Sequence, residues 1–277
     1  MDKSLPPGLH IVATPIGNLG DLSARAADTL RNVDRILAED TRVTAKLLAH
    51  IGAKVPMSRY DDHSSEAERG RIVARLGEEA IALVSDAGTP LISDPGYKLV
   101  RAARAAGFQV HTIPGPSAAI AALTLAGLPT DRFLFAGFLP AKAKARAEAI
   151  AEIATIRATL VFYESGPRLG DTLAALAEIL GARDAAVIRE ITKLHEECLT
   201  RTLPELASRY ANAAPKGEIV IVVAPPARTA GANAEEIDAA LDEALARLSP
   251  SRAAAQVAEK LGVARKRVYA RALERSR

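Results

Sequence analysis

The sequence predicts an α/β protein of two lobes with a small helical tail. Three observations carry this: strands alternate with helices as far as residue 113, the alternation is lost beyond residue 138, and a Pro/Ala/Gly-rich stretch precedes a strongly basic end. Domains usually run to about 100–200 residues, so a chain of 277 residues holds two modest cores. The expected division is a parallel-rich α/β lobe over residues 1–137, a mixed α+β lobe over 138–224, a linker over 225–234 and a basic tail over 235–277.

The elements follow from apolar period and punctuation. Leu9-His10-Ile11-Val12-Ala13 reads as a strand and Thr14-Pro15-Ile16-Gly17-Asn18-Leu19-Gly20-Asp21 as the loop after it, leading into a helix over 23–32. Residues 35–38 form a short strand, 42–51 a helix and 55–57 a brief extended piece. Ser65 then caps a helix with Glu68 three residues on. A strand ends before Asp86, a helix covers 97–106 and a strand 109–113. Such alternation implies a mostly parallel sheet covered on both faces.

The stretch Phe138-Leu139-Pro140-Ala141-Lys142-Ala143-Lys144-Ala145-Arg146 breaks the pattern with a proline and three spaced cations and reads as a connector. Strands at 159–163, 185–189, 197–203 and 218–223, with one clear helix at 168–180, then suggest more antiparallel pairing. In the tail, 235–248 reads as an acidic amphipathic helix. Residues 257–269 have helix-turn-helix spacing with Gly262 at the turn. From Ser251 onward eight cations face only Glu259 and Glu274, an excess larger than the whole-chain net charge of +3.

Composition excludes several classes. One cysteine, Cys198, rules out an intramolecular disulfide, and its place inside an expected strand reads as a small buried apolar residue. No apolar run is long enough for a membrane span and no leader is evident, so the expectation is a soluble cytoplasmic protein. Asp61-Asp62-His63 and His195-Glu196-Glu197 lack the spaced ligand set of a metal centre, so no metal is expected. Gly17-Asn18-Leu19-Gly20 is not a full dinucleotide fingerprint.

Two turns carry the chemistry. An apolar strand runs into Asp86-Ala87-Gly88-Thr89-Pro90-Leu91-Ile92-Ser93-Asp94-Pro95-Gly96, where glycines and prolines expose backbone and carboxylates at the carboxyl edge of a sheet. Ile113-Pro114-Gly115-Pro116-Ser117-Ala118-Ala119 follows the next strand and opens a small-residue helix. The two turns are expected side by side, walling one pocket.

These segments resemble one family closely. With Val12-Ala13-Thr14-Pro15-Ile16-Gly17-Asn18-Leu19, Ala38-Glu39-Asp40-Thr41-Arg42, Gly127-Leu128-Pro129-Thr130-Asp131-Arg132-Phe133, Gly137-Phe138-Leu139-Pro140, Phe162-Tyr163-Glu164-Ser165 and Lys216-Gly217-Glu218, the chain is similar to the methyltransferases of the tetrapyrrole methylase fold. Within them it resembles the bacterial ribosomal RNA small-subunit methyltransferase I family. The resemblance spans nearly the whole chain, apart from the departing segment Arg59-Tyr60-Asp61-Asp62-His63-Ser64-Ser65.

What the resemblance implies is methyl transfer from S-adenosylmethionine to the ribose 2′-hydroxyl of a cytidine in 16S rRNA near the decoding centre. The implied partner is the small ribosomal subunit, not DNA or a membrane, and the implied assembly is a homodimer. The resemblance places the donor against Pro15, Asp86, Gly88, Thr89, Ile92, Asp94, Ser117, Ala118 and Tyr163, although Asp86, Thr89, Asp94 and Ser117 are also ordinary turn and cap types.

An acceptor hydroxyl needs its proton removed or polarised and an in-line approach to the methyl carbon. Asp40, Arg42 and Glu164 are the foremost candidates for this, with His63 and Lys216 behind them; capping, mutual ion pairing or a loop hydrogen bond explains the same residues equally well. Because charge is annihilated as an alkoxide meets a sulfonium, carboxylates packed on the sulfur are not expected. Lys142, Lys144, Arg146, Arg265, Lys266 and Arg267 are the expected phosphate contacts, though the tail also fits dimer contacts. Two rivals remain: a methylase of a tetrapyrrole or other small molecule on the same fold, disfavoured by the basic tail, and a nucleic-acid-binding module without catalysis.

Overall fold

The computed structural model describes residues 5–227, 234–261 and 263–275. The chain divides into two compact units, Met1–Pro226 and Ala227–Arg277.

The first unit begins with a five-stranded sheet. Its strands are β1 (Gly8–Val12), β2 (Arg35–Ala38), β3 (Met57–Arg59), β4 (Ala80–Val84) and β5 (Val110–Ile113), in the order β3-β2-β4-β1-β5 and all parallel. Helices α1 (Ala24–Asn32), α2 (Thr41–His50), α3 (Glu66–Arg75) and α4 (Tyr97–Ala105) make the crossovers. Alternate strand residues serve opposite faces: Val12, Ile36, Ala38 and Val84 pack with Leu30 and Leu47, while Leu9, Ile11, Leu37 and Leu83 pack with Leu99. Burial on both faces is why β4 reads as a continuous apolar run and why β1 is apolar apart from the buried His10. The connection after β2 leaves toward β3 and that after β4 toward β5. The crevice therefore opens at the carboxyl edge between β2 and β4.

After α5 (Ala118–Ala126) a second sheet follows, of β6 (Phe133–Phe138), β7 (Thr159–Ser165), β8 (Asp184–Arg189), β9 (Glu197–Thr202) and β10 (Glu218–Val223). Its order is β6-β7-β10-β8-β9; β6 and β7 run parallel, and the other pairs are antiparallel. One face packs on α6 (Ala143–Ile153), α7 (Leu169–Leu180) and α8 (Leu203–Tyr210) through Ile150, Phe162, Leu173 and Leu206. The other packs on α5 through Ala119, Ala122, Leu123, Val161 and Val220, and Ile16 from the loop after β1 joins that cluster.

Three sequence expectations are corrected here. The stretch 138–146 is not a free connector, because α6 starts at Ala143; an alanine-rich segment carries high helix propensity but no sharp apolar stripe. The second lobe holds more than one helix: α8 opens with Pro204 in its first turn and a capping box from Thr202 to Glu205, a local signal that was present in the sequence. Cys198 is exposed, because β9 is an edge strand with one open side; its thiol lies 3.4 Å from the Leu125 carbonyl.

The second unit is three helices, α9 (Ala234–Leu245), α10 (Pro250–Leu261) and α11 (Arg265–Arg275), around Ile237, Leu241, Ala253, Val257 and Val268. Arg271 grips Asp238 (Nε–Oδ1 2.6 Å) and Arg275 grips Asp242 (2.7 Å). Two of the tail's cations thus serve its own acidic helix. Gly262 and most of the linker over 225–234 lie outside the described residues.

Candidate active site

Loops at the carboxyl edge of the first sheet brace one another before they bind anything. Thr14 and Gly88 exchange both backbone hydrogen bonds, N–H to carbonyl at 2.8 and 3.1 Å, and this clamps the loop after β1 to the loop after β4. The Thr89 hydroxyl donates to the Pro116 carbonyl at 2.9 Å, joining the second turn. The Asp40 N–H donates to Asp86 Oδ1 at 2.9 Å across the crevice between β2 and β4. Gly88 has φ +79°, which favours glycine, and a Cβ there would press on the Ile16 side chain at 3.2 Å. Leu91 (φ +75°) and Ser93 (φ +64°) are also left-handed in the same loop, which marks local backbone strain.

The turns wall a cavity of about 360 Å³. It is lined by Asp86, Gly88, Thr89, Ile92, Asp94, Ser117, Ala118 and Tyr163, which gathers eight of the nine residues that the resemblance placed at the donor. Pro15 lines a neighbouring cavity of about 350 Å³ with Gly17, Leu19, Val43, Thr44, Lys46, Leu47 and Lys193. The two cavities share Ile16, Asp86, Ala87 and Glu218. Tyr163 comes from the second sheet. Its oxygen accepts the Ala119 N–H at the start of α5 (3.2 Å), and Phe135 and Phe138 meet its ring edge-on.

Carboxylates set the electrostatics. Asp94 is pushed up to about 6, first by burial and then by the charges of Glu39, Asp86 and Glu218. Burial and Asp86 also raise Glu39, and burial raises the Tyr163 phenol. The first cavity thus carries Asp86 and Asp94, as the resemblance placed them, and also Glu39 and Glu218 on its walls.

The expected catalytic residues are placed differently. Asp40 caps α2 by accepting the Arg42 N–H (2.8 Å), and its carboxylate is held bidentately by the Arg42 guanidinium, which keeps it well below the usual carboxylate range. Neither residue lines either cavity. Glu164 borders the first cavity, but its side chain is 0% exposed; its oxygens accept the Thr172 hydroxyl (2.6 Å) and the Ser165 N–H (2.8 Å), with Arg168 at 3.4 Å. These bonds engage both carboxylate oxygens within the protein, which gives Glu164 a structural role in the fold. His63 and Lys216 are exposed, and the His63 N–H turns back to Asp61. The departing segment 59–65 braces the site instead: Tyr60 is buried, and Asp62 accepts the Gly96 N–H at the start of α4.

Of the expected phosphate contacts, Lys142, Lys144, Arg265, Lys266 and Arg267 are exposed. Arg146 is corrected: it is 7% exposed and donates to the Ala141 carbonyl, because α6 turns it inward against the second sheet. Sequence reasoning missed Glu39, Lys193 and Glu218 as cavity residues. Lys216-Gly217-Glu218 was singled out as a motif, but Lys193 follows a turn whose backbone, left-handed at Glu190 and Thr192, has no glycine to announce it.

Comparison with known proteins agrees with this geometry. Residues 8–207 match the family model of tetrapyrrole (corrin/porphyrin) methylases, and residues 231–276 match the RsmI C-terminal HTH domain. The chain is 56% identical to a protein of Erythrobacter litoralis named ribosomal RNA small subunit methyltransferase I, covering 98% of this chain and 96% of that one. It is 45% identical to the protein of that name from Escherichia coli O157:H7, covering 96% and 94%. Among solved structures, a diphthine synthase superposes with TM-score 0.62 at 16% identity over 78% of this chain and 89% of that one. Cobalt precorrin-4 methyltransferase does so with 0.59 at 15% over 78% and 94%, a likeness of fold. With two braced turns closing on one cavity, and relatives that match from end to end, the chain belongs to the ribosomal RNA small subunit methyltransferase I family within the tetrapyrrole methylases.

Proposed function

We propose that this protein transfers the methyl group of S-adenosylmethionine to the ribose 2′-hydroxyl of a cytidine in 16S rRNA near the decoding centre, acting as a cytoplasmic homodimer on the small ribosomal subunit. The observation that carries this reading is the first cavity. Its volume of about 360 Å³ lies in the range of small-molecule sites, and a sulfonium cation is complemented by Asp86, Asp94 and Glu39. Bound there, S-adenosylmethionine supplies the methyl group and a neutral thioether as leaving group.

The chain's own residues do the rest. Gly88 lets backbone approach the ligand, Ile92, Ala118 and Tyr163 offer apolar surface, and Thr89, Ser117 and Asp94 offer hydrogen bonds. The carboxylates favour the charged donor over the neutral product. That difference assists product release at some cost in barrier, since the same charges also stabilise the separated reactants. Exposed Lys142, Lys144, Arg265, Lys266 and Arg267 contact RNA phosphates without reading sequence. The expected lobe boundary after residue 137 falls inside β6, which pairs with β7 from Phe133, so the second lobe begins before β6; in this reading the tail is an RNA-binding module.

The test is methylation of assembled small subunits and of naked 16S rRNA with labelled S-adenosylmethionine, followed by nucleoside mass spectrometry. The expected product is 2′-O-methylcytidine at one position. A methyl group on a base, or transfer to a tetrapyrrole in place of RNA, overturns the reading.

A further inference from the structure

The second cavity has its own machinery. Lys193 enters it from the segment after β8, where Glu190 (φ +53°) and Thr192 (φ +66°) are both left-handed and the Thr192 hydroxyl is buried without a partner. Strain of this kind persists only where the surroundings over-determine it. They do so here. A Cβ on Gly17 would stand 2.5 Å from Lys193 Cγ, and one on Gly217 would run into the Glu190 carboxylate. Two glycines from separate loops therefore make room for one lysine and its partner.

Lys193 Nζ lies 3.0 Å from Glu190 Oε1 and 3.0 Å from Glu218 Oε2. The two carboxylates differ. Glu190 Oε1 also accepts the Glu218 N–H (3.2 Å) and has a side chain 21% exposed, whereas the Glu218 side chain is 74% exposed and borders both cavities. Asp86 also borders both cavities, but its Oδ1 is engaged by the Asp40 N–H. Around them, Lys46 supplies a second ammonium, and Leu19, Val43 and Leu47 supply apolar wall. Two cations beside an apolar wall suit an anion that carries a flat apolar group, which describes one nucleotide of an RNA chain.

We propose that the second cavity takes the acceptor nucleotide, that Lys193 binds its phosphate, and that Glu218, released by this exchange, accepts the proton of the attacking ribose hydroxyl. The inference rests on the function proposed above and deepens it. The proton passes from the hydroxyl to a Glu218 oxygen, the oxygen forms its bond to the methyl carbon, and the bond from that carbon to sulfur breaks with its electron pair left on sulfur. In the free enzyme the ion pair with Lys193 occupies the base. Substrate phosphate, by drawing Lys193 to itself, frees Glu218 Oε2 when the acceptor is in place, next to the cavity of the methyl donor that Glu218 also borders.

The experiment uses the full-length protein, S-adenosylmethionine and a small-subunit RNA substrate, with single-turnover rates, KM for RNA across a salt series, and donor affinity by calorimetry. Glu218→Gln is expected to lower the single-turnover rate by about 10²–10⁴-fold without weakening RNA binding, since Lys193 no longer exchanges that carboxylate for phosphate. Lys193→Ala is expected to raise KM for RNA roughly tenfold and to reduce its salt slope by about one, with donor affinity retained. Lys193→Arg, which keeps the charge, restores the salt slope and covers the case in which the alanine variant does not fold. A Glu218→Gln protein that transfers at the wild-type rate, or a Lys193→Ala protein with an unchanged salt slope, overturns the proposal. A wild-type protein that transfers nothing to RNA overturns the underlying function instead.

Discussion

The Thr89 hydroxyl and the Pro116 carbonyl, 27 residues apart in the chain, meet at 2.9 Å and tie the turn after β4 to the turn after β5. With the Thr14–Gly88 bridge, this bond joins three loops into one rim around the first cavity, where the proposed donor would meet an organised site. Preorganisation of this kind lowers the ordering cost of binding.

Thr89→Val keeps the shape and removes that bond. The expected result is a loss of about 1 kcal/mol of stability, since the Pro116 carbonyl loses its donor. Calorimetry should show S-adenosylmethionine affinity falling roughly tenfold, which corresponds to about 1.4 kcal/mol. Unchanged affinity would separate the rim from donor binding.

Asp94 makes a prediction in pH. Its folded value of about 6 exceeds the ordinary 3.8, so the folded state holds the proton more tightly; the stability this contributes is complete below 3.8 and is lost as pH rises through about 6. In the donor-free protein Asp94→Asn should therefore gain Tm over the wild type between pH 4 and 6 and level off above. Because the group is partly solvated, the gain should be roughly 2–4 °C. Wild-type affinity for the cationic donor should fall as pH drops through about 6, and the Asn variant should lack that inflection. A Tm difference that shrinks with rising pH would reverse the assignment.

Glu164 distinguishes a structural carboxylate from a catalytic one. Removing it strands the Thr172 hydroxyl and the Ser165 N–H and leaves Arg168 with the Leu139 carbonyl but no carboxylate, so Glu164→Ala should cost about 2–4 kcal/mol in urea unfolding. Glu164→Gln keeps one acceptor, for the Ser165 N–H, while its amide NH2 can donate to the Thr172 hydroxyl oxygen, so it should keep most of the fold and most of the methyl-transfer rate. Abolished transfer in a stably folded Gln variant would restore Glu164 to the chemistry.

The tail's arginines should fall into two classes. Arg271→Ala breaks the grip on Asp238 and should lower the melting temperature of the three-helix unit. Arg265→Ala and Lys266→Ala remove exposed charges, and each should reduce the salt slope of RNA binding by about one with little effect on stability. Because Ile237 and Leu241 of α9 share a core with α10 and α11, cutting the chain at Ser251 would expose that core; point substitutions are the sharper measurement.

Much of this molecule was legible in the chain because the relevant physics is local. Ser65 and Glu68 form the capping box that their spacing announces, the unbroken apolar run of β4 is buried on both faces, and Gly88 adopts the positive φ that its turn demands. α6 escaped because alanines and evenly spaced charges leave no clear period, and the same lack of period hid the inward face that buries Arg146.

The sequence by itself determined the alternating elements, the two glycine-proline turns and the basic helical tail, because propensity, capping and apolar period act over a few residues. Only the tertiary structure decided that Tyr163 meets α5, that Glu164 is locked by Thr172, and that Lys193 bridges Glu190 and Glu218 beside Gly17. Those are contacts between residues distant along the chain, and their partners are chosen by how sheets and helices pack, which local preference does not encode.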